Sequence, residues 1–179
     1  AFYGVLAFWM SVYVPPFEAP DAYFHFAVIE HIARTDTLPP RDNAAQHAWQ
    51  QMAFHAPLYY MSAAALISPL DTRDFAHDYR VNPHAALGSP ESDGNKNDVV
   101  SAADPQGGTA WALRIVRAYS VLLGALTVIS VYGITRVIAP QRPTLALIAA
   151  MLTAFNPQLV FIHTTPSNDT LVTALSSLA

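Results

Sequence analysis

Residues 118–135 (AYSVLLGALTVISVYGIT) form an uncharged run of eighteen, bracketed by Arg117 and Arg136. Residues 143–168 form a second run of twenty-six, interrupted by Pro157. Runs of this length restrict a chain to two outcomes, helices deep inside a large soluble core or helices in a bilayer. Neither run has the polar periodicity of a surface helix. The link between them, RVIAPQR, holds Arg136 and Arg142. The pattern predicts two membrane helices, 114–138 and 143–166, in a hairpin whose Arg-bearing turn is cytoplasmic. A buried hairpin in a soluble protein is the alternative.

Residues 1–14 (AFYGVLAFWMSVYV) also carry no charge and end at Pro15-Pro16. As a helix they reach only ~21 Å, short of a ~30 Å hydrocarbon core. They read as a truncated first transmembrane helix. A signal core or a buried helix is the alternative, although no basic n-region or A-x-A site is present. A fourth helix is expected to start within 169–179. Both ends of the chain fall in apolar sequence, so the expectation is a piece of a larger membrane protein.

Composition supports that division. Charged residues make up 12% of the chain, against about 25% in a typical soluble domain. With no cysteine and a net charge of −4, a disordered chain, a disulfide scaffold and a nucleic-acid binder with a basic surface are excluded. The mean hydropathy of +0.25 is low for a chain of spans alone and reads as an average over spans and one aqueous loop. That loop, residues 15–113, holds twelve of the thirteen acidic residues and five of the nine basic ones. The hairpin orientation places it outside the cytoplasm. Within it, helices are expected near 21–34 and 57–68, the second lying at the membrane interface or against the spans. Residues 71–110 read as a polar, solvated excursion, with Pro83, Pro90, Pro105 and Gly107-Gly108. The expected fold is all-α and multi-pass, with a long extracytoplasmic first loop carrying interfacial helices.

Few residues in this chain suit chemistry. Glu18, Asp21 and His25 follow the first apolar segment, and a helix starting at Asp21 puts Asp21 and His25 one turn apart on one face. A carboxylate there suits proton abstraction from a hydroxyl, and a carboxylate–His pair suits a divalent cation. Equally, Asp21 suits a helix N-cap and His25 a cover for apolar surface. His55, ahead of Pro57, Tyr59 and Tyr60, reads either as a ligand-facing group or as part of a helix start. Asn168-Asp169 either caps the last helix or offers a second polar group at the outer surface. Arg114 and Arg117 suit headgroup snorkelling or a phosphate. His163 is similarly open, and Asn156-Pro157 is expected to kink its helix.

The order of these pieces, PPFEAPDAYFHF, HAPLYY, LRIVRAYSVLLG and LTAFNPQLVFIHTTPSNDTL, resembles the amino-terminal part of integral-membrane GT-C fold glycosyltransferases. The likeness is to the protein O-mannosyltransferase-like enzymes and their bacterial relatives. It covers most of the chain outside 71–110. That family has an early Asp-Glu pair often followed by a His, a Pro-Pro-Leu-Tyr-Tyr element, an Arg-Ser-Leu-Leu-Gly-like start to the second span and an Asn-Asp after the third. In this chain Ala22 stands at the place of the Glu and Ala56 at the place of the first Pro. The resemblance implies a catalytic Asp21, with Glu18, His25, His55, Tyr59, Arg117, Asn168 and Asp169 as substrate-binding candidates. It implies a sugar donor on a polyprenyl phosphate, an acceptor hydroxyl, a divalent metal in some members, and residence in a plasma membrane such as the bacterial inner membrane. A non-catalytic membrane protein using its acidic loop for binding or assembly is the rival reading. A transporter segment is a third, but it lacks charged residues within the spans.

Overall fold

The computed structural model describes residues 2–85, 96–101 and 106–179. It is mostly helical and divides into two compact units, Val14–Ile115 and Ala1–Tyr13 with Val116–Ala179.

In Val14–Ile115 the framework is α2 (Ala22–Thr35) packed on α3 (Leu58–Ile67). α1 (Phe2–Tyr13) belongs to the other unit. α2 buries Tyr23, His25, Phe26, Val28, Ile29 and Ile32, and α3 meets it with Tyr59, Tyr60, Ala63, Ala64 and Ile67. The two alanines let the helices approach closely. Between them the chain makes two short 3₁₀ turns, Ala44–Gln46 and Gln50–Phe54.

The stretch expected to be a solvated excursion is in part folded. It contains α4 (Phe75–Asp78) and an antiparallel pair, β1 (Tyr79–Val81) with β2 (Val99–Ser101), in the register Arg80 opposite Val100. Phe75 and Tyr79 join Phe17, Tyr23 and Phe26 in an aromatic core. That apolar payload explains why a polar-looking segment folds back. Pro90 and Pro105 lie outside the described residues.

α5 (Gly108–Ile138) is 31 residues long, about 47 Å. It begins six residues before the expected 114. Asp74 accounts for this, because its carboxylate accepts the Thr109 N–H at 3.2 Å and the Thr109 hydroxyl at 2.6 Å. Gly108 is required there, since a Cβ would lie 1.7 Å from the Asp71 carbonyl oxygen.

In the other unit, α1 and α6 (Pro143–Ala154) each pack on α7 (Pro157–Ile162), and α8 (Asp169–Leu178) closes the chain. A core of Tyr3, Ala7, Ala154 and Val160 is flanked by Val121, Ala125 and Val128 of α5. The single helix expected over 143–166 is corrected to α6 and α7. Pro157 lacks an N–H and disfavours helical backbone at Asn156, which is extended at ψ 114. The Asn156 side chain then caps the new helix, accepting from the Gln158 and Leu159 amides at 3.0 and 3.2 Å. Among the described residues α5 alone is a helix long and apolar enough to cross a membrane.

Candidate functional site

The turn before α2 is built around a buried aromatic. Phe17 is fully buried, with its ring 4.9–5.9 Å from those of Tyr79, Phe26, Phe75 and Tyr23. Its backbone is left-handed at φ 62, and so is that of Asp21 at φ 58. Positive φ is costly for a residue with a bulky side chain, and the surrounding rings hold Phe17 in place. Between these two residues, Glu18 turns inward and both its oxygens accept strand amides, Asp98 N–H at 2.7 Å and Val99 N–H at 3.2 Å.

Asp21 occupies the N-cap position of α2, yet its side chain makes no capping hydrogen bond and the residue is exposed. The capping role is therefore not what holds its carboxylate. Asp98 joins the same cluster. Burial first, then the Glu18 and Asp21 carboxylates, push its carboxyl above the usual range. Sequence reasoning missed Asp98, which sits in polar sequence with no motif around it.

One turn along α2, His25 is 5% exposed and its Nδ1 lies 2.8 Å from the Tyr60 hydroxyl. The same hydroxyl lies 3.3 Å from His55 Nδ1. Burial, then the His55 imidazole, bring the His25 pKa down to about 4, so His25 is neutral near pH 7. The structure thus brings His25 and His55 together through Tyr60. The neighbouring candidate Tyr59 is buried with its ring edge-on to Tyr60. Helical register assigns the bridging hydroxyl to the second tyrosine of the pair. His55 and Tyr60 also line a cavity of about 300 Å³ together with Arg41.

The remaining candidates, Arg114 excepted, belong to the other unit. Arg117 is buried and donates from Nη1 to the Ser11 carbonyl at 2.7 Å, which ties α5 to the end of α1. Asn168 holds the N-cap position of α8 without a capping side-chain bond, and the Ser167 hydroxyl accepts the Asp169 N–H instead. Asp169 lines a cavity of about 400 Å³ with Asn156 and His163. Arg114 stacks over the Trp111 ring at 4.6 Å in the first turns of α5.

Among the described residues no group of three or more His, Asp or Glu side chains is placed to hold a metal ion. No protein-family model, curated protein or solved structure matches the chain.

Proposed function

We propose that the protein is an integral-membrane glycosyltransferase of the GT-C type that acts at the extracytoplasmic face. Its donor is a sugar on a polyprenyl phosphate and its acceptor carries a hydroxyl. The observation that carries this reading is the exposed Asp21 carboxylate at the head of α2, held on a left-handed backbone and uncommitted to helix capping. Backbone strain of this kind concentrates where a side chain must be aimed. The ordered series from PPFEAPDAYFHF to PSNDTL supports the family.

Bilayer placement draws on the apolar side chains that α1, α5 and α6 leave exposed, among them Phe2, Phe8, Leu122, Ile129, Leu147 and Leu152. Soluble proteins seldom expose so much apolar surface. On this reading α1, α5 from Arg114 onward and the α6–α7 pair are membrane segments, and residues 15–113, with the first turns of α5, lie outside.

In the reaction the acceptor oxygen attacks the anomeric carbon, and the bond from that carbon to the donor phosphate breaks. The phosphate leaves with the bonding pair, and Asp21 takes the acceptor proton. An oxocarbenium-like transition state gains from the negative charge that Asp21 and its neighbours place nearby.

Asp21→Asn in the full-length protein tests this. Release of polyprenyl phosphate from labelled donor, measured in membranes, is expected to fall by about 10²–10⁴-fold. One observation favours a rival, since a buried alanine, Ala22, stands where the family places Glu. If the loop instead serves binding or assembly without catalysis, membranes carrying the wild-type protein release no more polyprenyl phosphate than membranes without it, and the enzyme reading falls. Transfer left unchanged by Asp21→Asn would overturn Asp21 as the base.

A further inference from the structure

The cavity of about 300 Å³ between the start of α3 and the 3₁₀ turns is separate from the Asp21 carboxylate cluster. Its walls are mostly apolar, including Val28, Leu38 and Met52, and its polar lining comes from Arg41, His55 and Tyr60. No carboxylate lines it. An apolar cavity with a few convergent polar groups is the usual form of a small-molecule site, and a guanidinium beside imidazole and hydroxyl donors suits an anionic group that carries an apolar substituent.

The fixed contacts define what each group offers. Arg41 donates Nε to the Ala53 carbonyl at 3.2 Å and lies 5.6 Å over the Phe54 ring. Those contacts hold the guanidinium plane and leave its terminal amino groups as the donors of the fork. His55 meets Tyr60 through Nδ1, so Nε2 is the ring atom left for a ligand. The Tyr60 hydroxyl has one proton and two Nδ1 neighbours. If it donates to His55, His25 donates to it. If it donates to His25, His55 donates to it through Nδ1–H, and a neutral His55 then has a bare Nε2. The first arrangement alone presents an Nε2–H, and it is the one that an anion selects. The buried pair Tyr60 and His25, 1% and 5% exposed, therefore acts as a positioning device behind His55.

We propose that this cavity binds a phosphate monoester, with Arg41 and the His55 Nε2–H on its oxygens, Tyr60 and His25 as positioning residues, and the apolar walls against its organic part. The proposal shares His25 and His55 with the substrate-binding candidates of the glycosyl-transfer reading but does not rest on Asp21, and because binding is read without turnover its failure and the failure of that reading are distinguishable. The same headgroup chemistry is found on a lipid monophosphate and on a soluble phosphate ester.

Calorimetric titration of the detergent-solubilised full-length protein tests it, with dodecyl phosphate, glycerol phosphate and dodecanoate as probes. Saturable binding of dodecyl phosphate is expected, with glycerol phosphate weaker if the source is a lipid and equal if it is soluble. Arg41→Gln and His55→Gln are each expected to weaken binding about tenfold or more. Arg34→Gln, at an exposed arginine paired with Glu30, is expected to leave it unchanged. Arg41→Lys keeps a cation but loses the fork, so it provides a second reading if Arg41→Gln does not fold, with a loss of about threefold. For the positioning pair, ¹⁵N imidazole spectra are expected to show His55 protonated on Nε2 in the ligand complex, and a mixture of tautomers in Tyr60→Phe. Absence of phosphate binding, tighter binding of dodecanoate, or Arg41 and His55 variants that bind as the wild type would each overturn the proposal.

Discussion

Phe17 and Asp21 illustrate how a local penalty becomes a fixed geometry. A left-handed backbone costs a side-chain-bearing residue about 1–2 kcal/mol, and burying a phenylalanine ring returns about as much or more. Glu18, between them, is oriented toward the amides of Asp98 and Val99 at the start of β2. Glu18→Gln keeps the shape, but its amide nitrogen cannot accept, so one of the two hydrogen bonds is lost and the other loses its charge, at an expected cost of about 1–3 kcal/mol. It should also let the Asp98 carboxyl fall back toward the ordinary carboxylate range, because one of its two carboxylate neighbours is then neutral. Thermal unfolding and a carboxyl NMR titration check the two effects. His25 makes a prediction of opposite sign in pH. The unfolded chain protonates this imidazole at about 6.5 and the folded chain only at about 4. Its contribution is therefore whole above pH 6.5 and is lost as pH falls toward 4, by about 3 kcal/mol at most. Melting temperatures across that window should decline more steeply for the wild type than for His25→Gln. Parallel slopes would remove His25 from the acid response.

At the scale of elements, the sequence was most informative where punctuation and hydropathy agreed. Pro20-Asp21 and the amphipathic pattern placed the start of α2, Pro57 and Pro69 bracketed α3, and the apolar run located most of α5. It was least informative where one element depends on another distant in sequence. The six extra residues of α5 depend on the Asp74 carboxylate, and β1 and β2 depend on partners about twenty residues apart. Pro157 was visible as a kink, but the full break follows from Asn156 turning extended and capping α7 with its side chain. Tyr60 in place of Tyr59 was a matter of helical register that two adjacent tyrosines do not disclose. Gly124 shows the same dependence in the other unit. A Cβ there would lie 1.9 Å from the Tyr3 hydroxyl oxygen and 2.8 Å from the His163 ring. Gly124→Ala should therefore push α1 and α7 off α5 and cost about 1–3 kcal/mol. The double variant with Tyr3→Phe, which removes the nearest atom, should recover part of the lost melting temperature. No loss in the single variant would show that these helices can shift without penalty.

For the whole molecule, the division into Val14–Ile115 and the remaining helices follows the division of charge. The loop unit carries nearly all the acidic groups, whereas apolar side chains face outward on the helices of the other unit. The mean hydropathy, modest as an average, combines these two kinds of surface. The contact between Glu18 and the strand also sets a timetable for the growing chain. The glutamate and its amide partners are 80 and 81 residues apart. At about 5–20 residues per second, the ribosome needs roughly 4–16 s to supply those partners after Glu18 is made. During that interval the Phe17 turn lacks its anchor, and the Asp21 carboxylate lacks its neighbour Asp98. The acidic cluster is thus completed only after the intervening loop has been synthesised, so the nascent chain passes through a period in which α2 can form before its acidic site exists.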